Sequence, residues 1–146
     1  MHFPPVRVLL LLLAAAGTAH AGTASMPELP ALNTLVQRTM ASFAYAVKND
    51  DMASLLATSS APFKSQMSSE KLHNNFLPFI DKKIDLTEVS KVVPVLSLPP
   101  AIDKDGILTL QGNFPAKPQT WYYRFRYVYE YPDWKPLGYN VTSDLE

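Results

Sequence analysis

Cysteine is missing from this sequence, neither sign of charge is in surplus, and no apolar run is long enough to span a membrane. Without cysteine, the chain cannot form a disulfide, use a thiol nucleophile, bind zinc through thiolates or carry an iron–sulfur cluster. The 13 basic residues balance the 13 acidic residues, which gives no support for binding nucleic acid or an acidic membrane. Exported animal domains of this size usually carry disulfides, so a bacterial periplasm suits a cysteine-free domain better.

The beginning of the chain has the three parts of a secretory signal peptide. Arg7 provides the positive charge, and residues 8–13 form an unbroken apolar run that three alanines extend. Residues 19–21 then give the small–any–small pattern that precedes cleavage. A spanning helix needs roughly 20 apolar residues, which disfavours the alternative of a retained anchor. We therefore expect cleavage between Ala21 and Gly22, and a periplasmic or secreted product with no membrane span.

The rest of the chain has the size of one domain. Removing residues 1–21 from 146 leaves 125, with 12 basic and 13 acidic side chains because Arg7 is lost. We interpret residues 22–30 as a short linker and residues 31–146 as a single domain, which is long enough to bury one core.

Residues 31–81 have helical spacing. Apolar residues recur every three or four positions and form one stripe on a long first helix, made of Leu32, Leu35, Val36, Met40, Phe43 and Val47. Asp50 is predicted to cap a short second helix, and Ser68 or Ser69 is predicted to cap a third. Pro78 predicts that this third helix kinks or ends early.

Residues 86–142 have strand spacing, interrupted by proline and glycine. Strands are predicted over residues 92–98, 107–114, 120–131 and 134–142. Pro136 and Gly138 predict a bulge or a bend in the last of them. Helices followed by antiparallel strands predict an α+β domain, with the N-terminal helices packed on one face of a curved sheet of about four strands.

The alternation of side chains is clearest along residues 120–131. Because successive residues of a strand point to opposite faces, one face is aromatic and the other is mostly polar. The candidate ligand pocket on the aromatic face consists of Trp121, Tyr123, Phe125 and Tyr127. The alternative is that these four side chains fill the core beneath the first helix. Arg124 and Arg126 on the other face form a candidate interface, and a solvated sheet face is the alternative there.

Two stretches of the chain carry a family resemblance. The first runs from Phe43 and Ala44 through residues 48–51 to Leu55-Leu56 and Pro62-Phe63. The second is the ending, residues 127–130 and 134–141, where Pro136 stands between Lys135 and Leu137 and widens the Lys–Leu spacing of a Trp-Lys-Leu-x-Gly-type stretch by one residue. Over residues 31–142 the chain resembles the nuclear transport factor 2-like superfamily, whose sheet places it close to the cystatin-like folds.

The resemblance implies a bent sheet wrapped as a cone around a helix, often with a pocket inside, and dimers that pair through their sheets. The superfamily includes isomerases and dehydratases, and in the isomerase-like relatives an acid and a tyrosine project into the pocket. Fold alone sets almost no limit on function. His73 is the only histidine left after cleavage, and no carboxylate spacing accompanies it, so we predict no metal site and no cofactor.

We therefore expect an exported domain that binds a small apolar ligand or a protein partner without catalysing a reaction. Two alternatives remain open. One is an isomerase- or dehydratase-like enzyme that uses a tyrosine and an acid, and the other is a structural or assembly component that acts through the sheet face. A homodimer paired through the sheet is a further expectation, and a nucleic-acid partner is not expected.

Overall fold

The structure, a computed structural model, describes residues 24–144. Within that range five helices come first: α1 Leu29–Asn49, α2 Met52–Ala57, α3 Ala61–Gln66, α4 Ser69–Asn75 and α5 Leu77–Asp81. A 3₁₀ turn at Val89–Lys91 leads to the described strands: β1 Val95–Leu96, β2 Ala101–Ile102, β3 Ile107–Phe114, β4 Trp121–Glu130 and β5 Asp133–Ser143. The predicted signal segment and its cleavage point lie outside the described residues.

Helix α1 is amphipathic and lies across the inner face of the sheet. Pro30 is in its first turn, where a missing N–H costs no hydrogen bond. All six residues of the predicted apolar stripe are buried, which confirms the stripe. The helix ends where Asp50 takes a left-handed conformation with a φ of 50°. The side chain of Asp51 accepts the capping hydrogen bond from the N–H of Ser54, so the prediction of Asp50 as the cap of α2 is wrong by one residue.

Serine and proline determine where the short helices begin. Ser60 caps α3 and Ser68 caps α4, each by accepting a backbone N–H of the first turn, and this confirms Ser68 as a cap. Pro78 lies in the first turn of α5. The third predicted helix therefore ends early, at Asn75, and a new helix begins, as the proline predicts.

The described strands form one antiparallel sheet. Its order is β1-β3-β4-β5, and β2 also pairs with β3. The two short strands lie one after the other along the same edge of β3. The predicted strand over residues 92–98 is mostly wrong, because only Val95–Leu96 pairs within it. Pro94, Pro99 and Pro100 remove backbone donors on either side of that pair.

The ladder between β4 and β5 contains a bulge. Arg126 lies opposite Gly138 whereas Tyr127 lies opposite Pro136, so Leu137 is an extra residue on β5. This confirms the predicted bulge, which bends the strand and increases its local twist. The α2–α3 junction meets the other side of β5, where the N–H of Ser60 donates to the carbonyl oxygen of Pro136 at 2.8 Å.

The core lies between the helices and the inner face of the sheet. Alternate residues of β3 and β4 point into it and are buried. Phe43 of α1 contacts the rings of Phe76 and Phe79 edge-on, with centroids 4.9 and 5.3 Å away. This is the predicted α+β arrangement, with helices on one face of an antiparallel sheet. The other face of β3 and β4 is half-buried or exposed.

Gly112 of β3 permits the close approach of β1. A Cβ atom at this position would overlap the backbone oxygen of Val95 and lie 2.9 Å from the Cα atom of Leu96. Both are backbone atoms, so no side-chain rotation can relieve the overlap. A residue with any side chain at position 112 therefore has to displace β1.

Gly112→Ala is expected to destabilise the fold by about 1–3 kcal/mol, because β1 must move away from β3. Gly138→Ala is the matched control. Its Cβ would meet nothing closer than 3.8 Å, so its free energy of unfolding should stay within about 0.5 kcal/mol of the parent value. Equilibrium urea denaturation measures both, and equal stability of the two variants would mean that β1 does not approach Gly112 in this way.

Candidate functional site

The four aromatic residues of the candidate pocket lie in the core. Trp121, Tyr123, Phe125 and Tyr127 are between 0 and 8% exposed. They contact one another and the helices; the Tyr123 and Phe125 centroids are 5.1 Å apart, and Phe79 of α5 lies 6.0 Å from Trp121. None of the four lines either of the two surface cavities described below. Their role in ligand binding stays a prediction, and their burial favours the alternative of a filled core.

The buried tyrosine hydroxyls differ in their hydrogen bonding. The hydroxyl of Tyr127 lies 2.7 Å from that of Thr39 on α1, which joins the middle of the sheet to the helix. Tyr123 has a buried hydroxyl with no hydrogen-bond partner among the described residues. Burial raises the pKa of Tyr123 to about 12 and holds that of Tyr127 well above its usual value, so both are neutral at physiological pH.

The described core contains no acid beside these tyrosines. Its buried polar residues are Thr39, Ser59, Ser60 and Ser90. The enzyme alternative needs a carboxyl group next to a tyrosine, and the described residues do not bring such a pair together in the core. The acid on the aromatic strand itself, Glu130, accepts a hydrogen bond from the N–H of Ala61 at the start of α3, at 2.8 Å.

A cleft of about 280 Å³ lies between α1, the end of α2 and the start of β5. We call it the hairpin cleft, and it is lined by Leu35, Arg38, Thr39, Ser42, Ala57, Thr58, Asp133, Trp134, Lys135 and Pro136. Arg38 Nη2 and Asp133 Oδ1 form an ion pair at 3.2 Å within it. The cleft thus combines apolar walls, hydroxyl groups and one pair of opposite charges.

The sequence gives no local signal for the hairpin cleft. Arg38 and Asp133 are separated by 95 positions in the chain, and neither belongs to a motif. The turn of α1 that carries Ser42 and the hairpin that carries Asp133 come together only because α1 packs across β4 and β5. Only a tertiary structure could have identified this site.

A wider groove of about 800 Å³ follows the outer side of α1, beside the 3₁₀ turn. Its lysines are already paired, Lys48 with Asp85 at 3.4 Å and Lys91 with Glu88 at 3.2 Å. The groove therefore presents little unbalanced charge to a ligand.

Arg124 and Arg126 lie on the side of the sheet that faces away from the helices. We call this surface the outer sheet face; it consists of Thr109, Gln111 and Asn113 of β3, Tyr122, Arg124 and Arg126 of β4, and Gly138, Asn140 and Thr142 of β5. Arg124 and Tyr122 are exposed and Arg126 is half-buried. Neither arginine forms an ion pair or a side-chain hydrogen bond within residues 24–144.

His73 lies at the surface, away from both the cleft and the outer sheet face. Its Nδ1 is 2.8 Å from Oδ1 of Asp50, a contact that connects α4 to the end of α1. Among residues 24–144, no group of three or more His, Asp or Glu side chains is arranged to hold a metal ion.

Because their hydroxyls differ in hydrogen bonding, replacing Tyr123 or Tyr127 by phenylalanine is expected to affect stability in opposite ways. Tyr123→Phe should leave stability unchanged or raise it by up to about 1 kcal/mol, because it removes a buried polar group that has no partner. Tyr127→Phe should lower stability by about 1 kcal/mol, because it breaks the hydrogen bond to Thr39. Thermal and urea unfolding of the two variants provide the measurement, and a loss of stability in Tyr123→Phe as large as in Tyr127→Phe would contradict the described environments.

Comparison of this chain with known proteins identifies no relative. The chain matches no protein-family model, no curated protein and no solved structure. Within residues 24–144, no helix combines the length and the apolar character that crossing a membrane requires.

Proposed function

We propose that this protein is an exported, non-enzymatic binding domain whose outer sheet face docks an acidic segment of a protein partner. One observation carries the proposal. Two arginines stand in the middle of an exposed sheet face, and neither has an acid to pair with among the described residues. The opposite face of the same sheet is occupied by the protein's own helices, so the outer sheet face is the one available to a partner.

The neighbours of the two arginines cannot neutralise them. Arg124 lies between Gln111 of β3 and Asn140 of β5. Arg126 lies between Thr109 and Gly138, so all four cross-strand neighbours are uncharged. The centre of the face therefore carries uncompensated positive charge, and an anionic partner supplies what it lacks.

Acids at the far end of the β4–β5 hairpin are engaged elsewhere. Glu130 accepts the N–H of Ala61 at 2.8 Å, and Asp133 pairs with Arg38 at 3.2 Å. Both contacts join the hairpin to the helices. In the described structure, both carboxylates therefore contact the helix side and not the two arginines.

The spacing of the arginines suits carboxylates on an extended segment. Residues two apart on a strand are separated by about 7 Å and point to the same side. A guanidinium group binds a carboxylate through two parallel hydrogen bonds, which fixes orientation as well as supplying attraction. Gly138 adds room beside Arg126, since a Cβ there would lie 3.8–3.9 Å from atoms of the Arg126 side chain.

Charge argues against a second copy of this chain on the same surface. A two-fold pairing of the outer sheet face would bring the arginines of both copies together, and the face has no acid at its centre to separate them. Like charges placed opposite each other oppose association. An acidic partner is therefore a better complement than the homodimer expected from the sequence.

Two observations support the further proposal of a nuclear transport factor 2-like cone. The order of elements, helices followed by an antiparallel meander, is that of the superfamily it resembles. The closing hairpin has a bulge at Leu137, next to the Pro136 that widens the Lys–Leu spacing of its Trp-Lys-Leu-x-Gly-type stretch.

Cross-linking from the outer sheet face tests the proposed function. A photoreactive phenylalanine analogue replaces Tyr122, which is 42% exposed at the edge of the arginine pair. In the cells that produce the protein, irradiation should yield a defined adduct with one partner. The same analogue in place of Tyr45, which is exposed on α1, is the positional control and should not yield that adduct.

Charge reversal gives the matched comparison. Arg124→Glu combined with Arg126→Glu should abolish the adduct formed at position 122, because two attractive contacts become repulsive. Lys48→Glu combined with Lys91→Glu changes the net charge equally on the α1 side and should leave the adduct in place. An adduct that survives reversal of the arginines, or that forms equally from position 45, would refute the outer sheet face as the docking surface.

A further inference from the structure

We propose that the hairpin cleft binds a free α-amino acid with an apolar side chain. The cleft lies on the helix side of the sheet, opposite the arginines of the outer sheet face, so this inference does not depend on the proposed function. It rests on the charge balance of the cleft, on an unpartnered hydroxyl and on the apolar walls.

The ion pair between Arg38 and Asp133 can be exchanged for contacts with a ligand. Their side chains are 53% and 45% exposed, and exposed pairs of this kind contribute little to stability. The carboxylate of an amino acid can replace Asp133 on the guanidinium group, while its ammonium group takes the freed carboxylate. No charge is left without a partner in this exchange, which is the condition for inserting a ligand between two charged groups.

A ligand with a single charge can pair with only one of the two charged side chains, Arg38 or Asp133. An anion bound to Arg38 leaves Asp133 without its partner and repels it. A cation bound to Asp133 does the same to Arg38. The pair therefore selects a molecule that carries both charges close together, as the two ends of an α-amino acid do.

Ser42 supplies a hydrogen bond beside this pair. It lies on α1 one turn after Arg38, lines the cleft and is half-buried. Its hydroxyl forms no hydrogen bond within the described part of the chain. A ligand carboxylate at Arg38 gives that hydroxyl a hydrogen-bond acceptor inside the cleft.

The walls of the cleft are suited to a short apolar side chain. Leu35, Trp134 and Pro136 line it, and each is otherwise buried. The volume of about 280 Å³ is slightly smaller than the usual range for ligand pockets, roughly 300–1,000 Å³. This size suits a ligand no larger than a single amino acid lying within the cleft.

Titration with L-leucine, followed by ¹H–¹⁵N correlation spectra of the protein, tests the site. Leucine should cause saturable shifts at the amides of Ser42 and Asp133 and at the indole N–H of Trp134. N-acetyl-leucine, which has only the negative charge, and leucine amide, which has only the positive charge, should bind at least about tenfold more weakly, since each loses one charged hydrogen-bonded contact. Glycine should also bind more weakly because it makes no contact with the apolar walls.

Ser42→Leu fills the cleft and should abolish the shifts at Asp133 and Trp134. Ser65→Leu, at an exposed position of α3, is the matched control and should leave leucine binding unchanged. The spectrum of each free variant shows directly whether it is folded, and Asp133→Asn tests the charge requirement without adding bulk. The proposal is overturned if leucine causes no saturable shift, if either singly charged analogue binds as tightly as leucine, or if folded Ser42→Leu still binds it.

Discussion

Burial of one aromatic strand face beneath α1 is the constraint on which the rest of this structure depends. The chain has no cysteine, so no cross-link assists folding and the core must supply the stability. Full burial of a large apolar side chain contributes roughly 1.5–3 kcal/mol, and β4 alone places Trp121, Tyr123, Phe125 and Tyr127 in the core. The hydrogen bond between Tyr127 and Thr39 then fixes the position of the helix over the sheet.

The same alternation that fills the core determines what the other side of the sheet can present. Each aromatic residue of β4 that turns inward leaves the next residue facing out, and two of those are arginines. The aromatic face is occupied by the protein's own helices, whereas the arginines have no internal partner in the described chain. The proposed docking surface therefore lies on the side of the sheet that the protein's own helices leave uncovered.

Helices and strands could be predicted from the sequence where a single hydrophobic periodicity runs uninterrupted along the segment. β3 was predicted at its observed bounds and β4 to within one residue at each end, because their alternation is uninterrupted and turn residues flank them. The prediction for residues 92–98 failed because an apolar run predicts a strand, whereas Pro94 within it and Pro99-Pro100 directly after it limit the paired strand to Val95–Leu96. β2 went unpredicted since two residues are too short to show any period.

The candidate sites also differ in whether the sequence alone could identify them. Arg124 and Arg126 could be identified from sequence because both lie on one strand, where face and spacing follow from geometry. The hairpin cleft could not be, since its residues come from α1, the end of α2 and β5 and meet only through packing. The aromatic residues showed which face is apolar, but no pattern along a strand can say whether helices fill the space above it.

The hydrogen bond between Ser60 and Pro136 limits the addition of another strand along the edge of β5. β5 is the long strand at one end of the sheet order, and an unpaired strand of this kind invites lateral addition of another chain. At Pro136 the strand has no N–H to offer, and its carbonyl oxygen is already taken by the N–H of Ser60. An approaching strand finds neither a donor nor an acceptor there, so edge-to-edge growth into larger aggregates is interrupted along the longest open border of the sheet.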